Sequence, residues 1–238
     1  MEQKRYRQDF IHHQASKISD SIREVVFGAE DGMVSTLGAL TGIAIGTANS
    51  FTVILAGLVI LAVESTGMSI GSFLSNKSVK EVDRRKLAEE AEEIQSFPEQ
   101  EAKELITLYI KDGWPENLAQ QMAAVAKTKP PLMLKEMAYR ELAIAPDSNN
   151  HLVANSVFMF FSYVVGGAIP ILPYLFLPIP AALPLSILIT LIGLFGLGAL
   201  TTRFTKRNWL KAGLEMLVLA SIAASIGYFI GRAADMLK

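Results

Sequence analysis

Apolar residues fill two long blocks of this chain, and between them they recur only at helical spacing. Residues 32–63 carry no charged side chain, and neither do residues 152–202. A bilayer core of about 30 Å is crossed by about 20 helical residues, so the second block has room for two crossings. The pattern predicts five spans, roughly Ile22–Thr47, Phe51–Asn76, Leu152–Tyr174, Ala181–Thr202 and Ala212–Gly231. The connections near "TANS" and "LPIP" hold only turns, which makes spans 1/2 and 3/4 antiparallel hairpins. Helices satisfy their own backbone hydrogen bonds where water is absent. The expected class is therefore an all-α polytopic membrane protein.

The intervening segment, 77–150, reads as an inserted polar module. Helical periodicity runs through "VKEVDRRKLAEEAEEI", "AKELITLYI", "ENLAQQMAAVA" and "LMLKEMAYRELAI". "SFPE" marks a break, with Ser96 expected as N-cap, Pro98 in the first turn and Glu99 at N3 of a capping box. "DGWPE" and "TKPP" punctuate the rest. Three or four helices are expected, and the first can continue span 2. The chain thus divides into an N-terminal segment (1–21), spans 1–2 (22–76), the helical insert (77–150) and spans 3–5 (151–238).

Composition agrees: 51% of residues are hydrophobic, mean hydropathy is +0.34 and the net charge is −1. Lys and Arg gather in the N-terminal segment, in residues 77–140 and in "RFTKRNWLK" (203–211), and are missing from both hairpin turns. The positive-inside rule then puts the N-terminus, the insert and the 203–211 loop in the cytoplasm and the C-terminus outside. The polar N-terminus has no apolar h-region, so no cleaved signal peptide is expected. The chain has no cysteine, which excludes disulfides and thiolate metal ligands.

"AEEAEEIQSFPEQEAKE" (88–104) holds seven glutamates. At about 100° per residue, Glu90 and Glu93 share one helical face while Glu89 and Glu92 point elsewhere. Glu89 has Arg85 at i−4 and Lys86 at i−3, the setting of a solvated ion pair. Glu101 and Glu104 form a second i, i+3 pair, and Met137 and Glu141 share a face farther on. Carboxylate pairs joined by a helical hairpin suit divalent cations, and a thioether shifts preference from Ca²⁺ or Mg²⁺ toward transition metals. By spacing alone, a merely solvated acidic face stays open.

Acids within the spans carry more information, because an ionisable group there is costly and is a functional candidate by default. Glu64 lies inside span 2, with Met68 one turn on. Asp31 lies about 13 Å into span 1 and Met68 about 12 Å from the cytoplasmic end of span 2, counting 1.5 Å per residue. Asp31 and Met68 can therefore meet at one depth, with Glu64 a turn deeper. The structural alternatives are a cap or an Arg23 pair for Asp31, and a hydroxyl partner for Glu64. Glu215 stands four residues after Lys211, as in an i, i+4 pair. His12, His13 and His151 lack partners at ligand spacing and read as surface residues.

Together these stretches resemble the vacuolar iron transporter family. The resemblance rests on "DGMVSTLGALTGIA" in span 1, "ILAGLVILAVESTGMSIGSFLSNKS" in span 2, "FPEQEAKEL" and "YRELAI" in the insert, and "VFMFFSYVVGGAIPILP" and "GLEML…GY" in spans 3 and 5. It implies five spans, a cytoplasmic metal-binding insert, a homodimer, and export of Fe(II), and often Mn(II), from the cytosol. Co(II) and Zn(II) are further candidate cargoes. By position the insert's ligands would be Glu90, Glu93, Glu101, Glu104, Met137 and Glu141, and the pathway would use Asp31 and Met68. Ala138 stands where the family has a second methionine. Ile60 and Ser72 stand where it has acids, and Glu64 is expected to replace the missing carboxylate. Exchange against protons is the expected drive. No covalent chemistry, tightly bound cofactor or nucleic-acid partner is expected. A metal-gated channel, a metal sensor or a non-transporting scaffold are the competing readings.

Overall fold

The computed structural model of the chain describes residues 17–144 and 152–236, and these form eight helices without a strand. They are α1 (Lys17–Thr47), α2 (Ser50–Ser96), α3 (Pro98–Lys111), α4 (Glu116–Lys127), α5 (Pro130–Arg140), α6 (Leu152–Phe176), α7 (Ile179–Thr205) and α8 (Trp209–Asp235). Two compact units divide the chain, one of Met1–Phe73 with His151–Lys238 and one of Leu74–Asn150. His12, His13 and His151 lie outside the described residues.

In the first unit α1 packs against α6, α7 and α8. Small residues set how close these helices come. A Cβ on Gly227 of α8 would stand 1.9 Å from the Gly38 carbonyl of α1, and one on Gly166 of α6 would stand 2.3 Å from that of Ala29. Only a residue without a side chain permits backbones to touch in this way. Ser186 of α7 adds a polar tie by donating to the Pro170 carbonyl of α6 at 2.7 Å.

Among the described residues four helices (α2, α6, α7 and α8) are long and apolar enough to cross a membrane. α1 has the length, at 31 residues, but Arg23, Glu24, Glu30 and Asp31 dilute its hydropathy. The turn after it needs Ala48 in the left-handed region (φ 49°), and the Asn49 side chain then accepts from the Thr52 amide at 3.0 Å to start α2. The last two spans outrun their sequence-based limits. Asn208 N-caps α8 by accepting from the Leu210 and Lys211 amides, so the predicted 203–211 loop shrinks to three residues.

The second unit holds the end of α2 with α3, α4 and α5 around a core that includes Ile94, Leu105, Tyr109, Ala123 and Met137. α2 is a single helix of 47 residues, so the insert's first helix does continue the preceding span. That continuity overturns the expected capping box. Ser96 is still helical, Phe97 takes the N-cap position of α3 without a side-chain cap, and Pro98 opens the first turn. Glu99 forms an ion pair with Lys127 of α4 instead. Glu215 also differs from expectation: it pairs with Arg207, at 2.8 Å, and not with Lys211. The Arg85–Glu89 pair forms as its spacing predicts, at 3.5 Å on an exposed face.

Candidate metal centre

Burial singles out two acids of the insert. Glu90 is only 4% exposed and Glu101 only 7%, whereas Glu93, Glu104 and Glu141 are exposed, as are Glu89, Glu92 and Glu99. Glu90 and Glu93 come from α2 and Glu101 from α3, and one carboxylate oxygen from each lies within 4.8 Å of the others. Two oxygens on opposite sides of an ion bonded at about 2.1 Å stand about 4.2 Å apart, so these separations are on the scale of one coordination sphere. The short break at Phe97 brings Glu101 to the Glu90–Glu93 pair, while Glu104 stays outside this trio and adds its charge to the field around it.

Oε1 of Glu90 is buried without a hydrogen-bond partner. Leaving a buried carboxylate oxygen unpaired is expensive, and a cation relieves that cost. Burial, followed by the charges of Glu141, Glu101, Glu93 and Glu104, pushes the Glu90 carboxyl up to about 7. Glu101 is raised by burial and then by Glu104, Glu93 and Glu141, against a hydrogen bond to Glu90 that lowers it. Glu141 is raised by burial and then by Glu104 and Glu93, with the same opposing hydrogen bond to Glu90. Five carboxylates from three helices thus share one field. Glu99 moves the other way, lowered by its hydrogen bond to Lys127. Met137 is fully buried in the core of this unit, one turn before Glu141, whose amide donates to the Met137 carbonyl at 2.8 Å.

In the first unit, Asp31 stands within electrostatic range of Glu64. Glu64 itself is exposed, and Met68 is half-buried one turn along α2. The hydroxyls next to Glu64 do not serve it, since Ser65 and Thr66 both donate to the Ala62 carbonyl. Among the described residues no ion pair joins Arg23 to Asp31. Asp31 and Glu30 together line a groove of about 330 Å³ between α1 and α8 whose other walls, Phe27, Leu219 and Ile222 among them, are apolar.

Sequence reasoning missed two polar groups here. Tyr163 of α6 is fully buried, and its hydroxyl lies 2.6 Å from that of Ser35, which also bonds the Asp31 carbonyl at 2.7 Å. A tyrosine within an uncharged apolar run was the available signal. Glu24, 6% exposed, accepts a hydrogen bond from Ser72 at 3.0 Å. Ser72 is thereby tied to a carboxylate that α1 supplies.

The sequence profile of the VIT family matches residues 22–232. A vacuolar iron transporter 1 from Tulipa gesneriana is 26% identical over 216 residues, covering 90% of this chain and 87% of that protein. A vacuolar iron transporter 2 from Oryza sativa subsp. japonica is 27% identical over 214 residues, covering 89% and 87%. A vacuolar iron transporter from Plasmodium falciparum (isolate 3D7) is 22% identical over 222 residues, covering 89% and 81%.

Proposed function

This chain belongs to the VIT family, and on that premise we propose that it is a transmembrane transporter that exports Fe(II), and Mn(II) with it, from the cytosol in exchange for protons. The observation that carries the reading is Glu90, a buried carboxylate with an unpaired oxygen among four other glutamates. Carboxylate oxygens with a thioether nearby favour borderline divalent cations over Ca²⁺ and Mg²⁺. Glu90, Glu93, Glu101, Glu104 and Glu141 collect the ion in the cytoplasm, with Met137 supplying sulfur.

Transport uses Asp31, Glu64 and Met68. Five spans are proposed, with α1 crossing as the first despite its acids. The groove at Glu30 and Asp31 opens at the surface of a membrane helix, which favours a homodimer that covers it. A carboxylate binds either a proton or a cation, so the same groups can couple the two fluxes. Nothing in this cycle makes or breaks a covalent bond. The test is flux of Fe(II), Mn(II), Co(II) and Zn(II) into proteoliposomes with and without an imposed pH gradient. Saturable flux driven by the gradient is expected; flux that ignores it and does not saturate would make the protein a channel. Glu64→Gln is expected to abolish flux, and unchanged flux would remove Glu64 from the pathway.

A further inference from the structure

Glu141 is exposed and joins the cluster from the end of α5, where it meets Glu90. It is the C-cap of α5, where the carbonyl ends of the helix repel a negative charge, and it faces other carboxylates. Its neighbour Arg140 is held far more firmly. The guanidinium pairs with Asp112, the C-cap of α3, and with Glu136 one turn back at 3.2 Å. It also lies 4.5 Å above the ring of Tyr109, whose hydroxyl donates to Glu136 at 3.1 Å. The Arg140 side chain is only 16% exposed, against 70% for Arg85 in the solvated pair with Glu89. This network ties the last turn of α5 to the last turn of α3.

We propose that Arg140 is a positioning residue for metal capture: its clamp between α5 and α3 holds Glu141 in reach of the glutamates of α2 and α3. The proposal rests on the metal-capture reading given above. Consecutive helical residues diverge by about 100°, so a side chain fixed toward Asp112 and Tyr109 leaves Glu141 turned to another side. Backbone bonds close the turn behind it, with the Ile144 amide donating to the Ala138 carbonyl at 2.8 Å and Ala143 at φ 54°. Asp112 and Glu136 more than neutralise the guanidinium, so a dication beside Glu141 is not repelled. A planar fork that stacks on an aromatic ring is also a role lysine cannot fill.

The test is Co(II) titration of the full-length protein in detergent, following the absorption signal that Glu90→Gln removes. Arg140→Ala is expected to weaken binding about tenfold, the usual cost of losing a group that orients a ligand. Arg140→Lys is expected to fall short of full rescue. The decisive readout is a double-mutant cycle. In a Glu141→Gln background Arg140→Ala is expected to cost nothing more, whereas in a Glu101→Gln background the full loss should persist. An Asp112→Asn, Tyr109→Leu double variant, which removes both contacts to α3 and leaves Arg140 in place, runs through the same cycle should Arg140→Ala misfold. Equal losses in both backgrounds, or no loss in either variant, would overturn the positioning role alone. Absence of Co(II) binding by the unmodified protein would overturn the capture reading with it.

Discussion

Glu90 concentrates the chemistry of the insert in one side chain. Its carboxyl, raised to about 7 by burial and then by its acidic neighbours, must lose a proton before it can ligate a cation. Mn(II) affinity is therefore expected to fall steeply as the pH drops from 8 to 6. Stability without metal runs in the opposite sense. A carboxyl raised in the folded state holds its proton more tightly there than in the unfolded chain, so its contribution is fully present below pH 4.5 and is lost as pH rises through about 7. Metal-free protein is expected to melt at higher temperature at pH 6 than at pH 8, and Mn(II) should reverse that order. Glu90→Gln is expected to flatten the dependence and remove the metal's effect, as read by thermal unfolding; an unchanged pH profile in this variant would locate the titrating group elsewhere. Helical spacing alone separates Glu90 and Glu93 from Glu89 and Glu92, so this division was legible in the sequence. The burial of Glu90 was not, because α3 and α5 impose it from afar. Lys127 likewise takes Glu99 from 28 residues away, a partner that no local pattern can announce.

At the scale of elements, α1 is the helix on which the first unit is built, and its contacts depend on absent side chains. Gly227→Ala would drive a methyl group into the Gly38 carbonyl, and Gly231→Ala would put one 2.4 Å from that of Gly42. Backbone cannot yield as a flexible side chain does, so both variants are expected to push α8 from α1 and lower the melting temperature in detergent. Gly196 of α7, where an added Cβ meets nothing within 4 Å, is the control. Gly196→Ala should leave stability unchanged or slightly raised, since alanine loses less backbone entropy in a helix. Equal effects at Gly196 and Gly227 would mean that close packing of α1 on α8 is not what these glycines serve. Period and hydropathy located the apolar helices well, because each must present a continuous greasy surface to lipid. They placed the start of α7's flanking loop and of α8 poorly, since "RFTKRNWLK" is polar enough to read as loop yet Asn208 caps a helix within it. α1 reads as a span although its acids lower its hydropathy; Glu30 and Asp31 line a groove, and Glu24 accepts from Ser72 of α2.

For the whole molecule, the number of crossings is a question of parity. α1 spans 31 residues, about 46 Å at 1.5 Å per residue and longer than a bilayer core of about 30 Å, so length permits a crossing that composition obscures. The chain contains no cysteine, and single-cysteine variants therefore report their side of the membrane without background. Ser50→Cys lies at the start of α2 and Ala124→Cys on an exposed face of α4, with one apolar helix crossing between them. Asp235→Cys follows three further apolar helices. With the insert cytoplasmic, a membrane-impermeant maleimide applied to intact cells is expected to label Ser50→Cys and Asp235→Cys but not Ala124→Cys. These three sites give the same result whether α1 crosses or not, so the N-terminus decides the count. If α1 spans the bilayer, Ser16→Cys is protected together with Ala124→Cys and is labelled only after permeabilisation. Labelling of Ser16→Cys in intact cells would reduce the count to four and move Asp31 off the transmembrane path. The basic residues of the N-terminal segment favour the five-span outcome, since arginine and lysine near a span are retained on the cytoplasmic side.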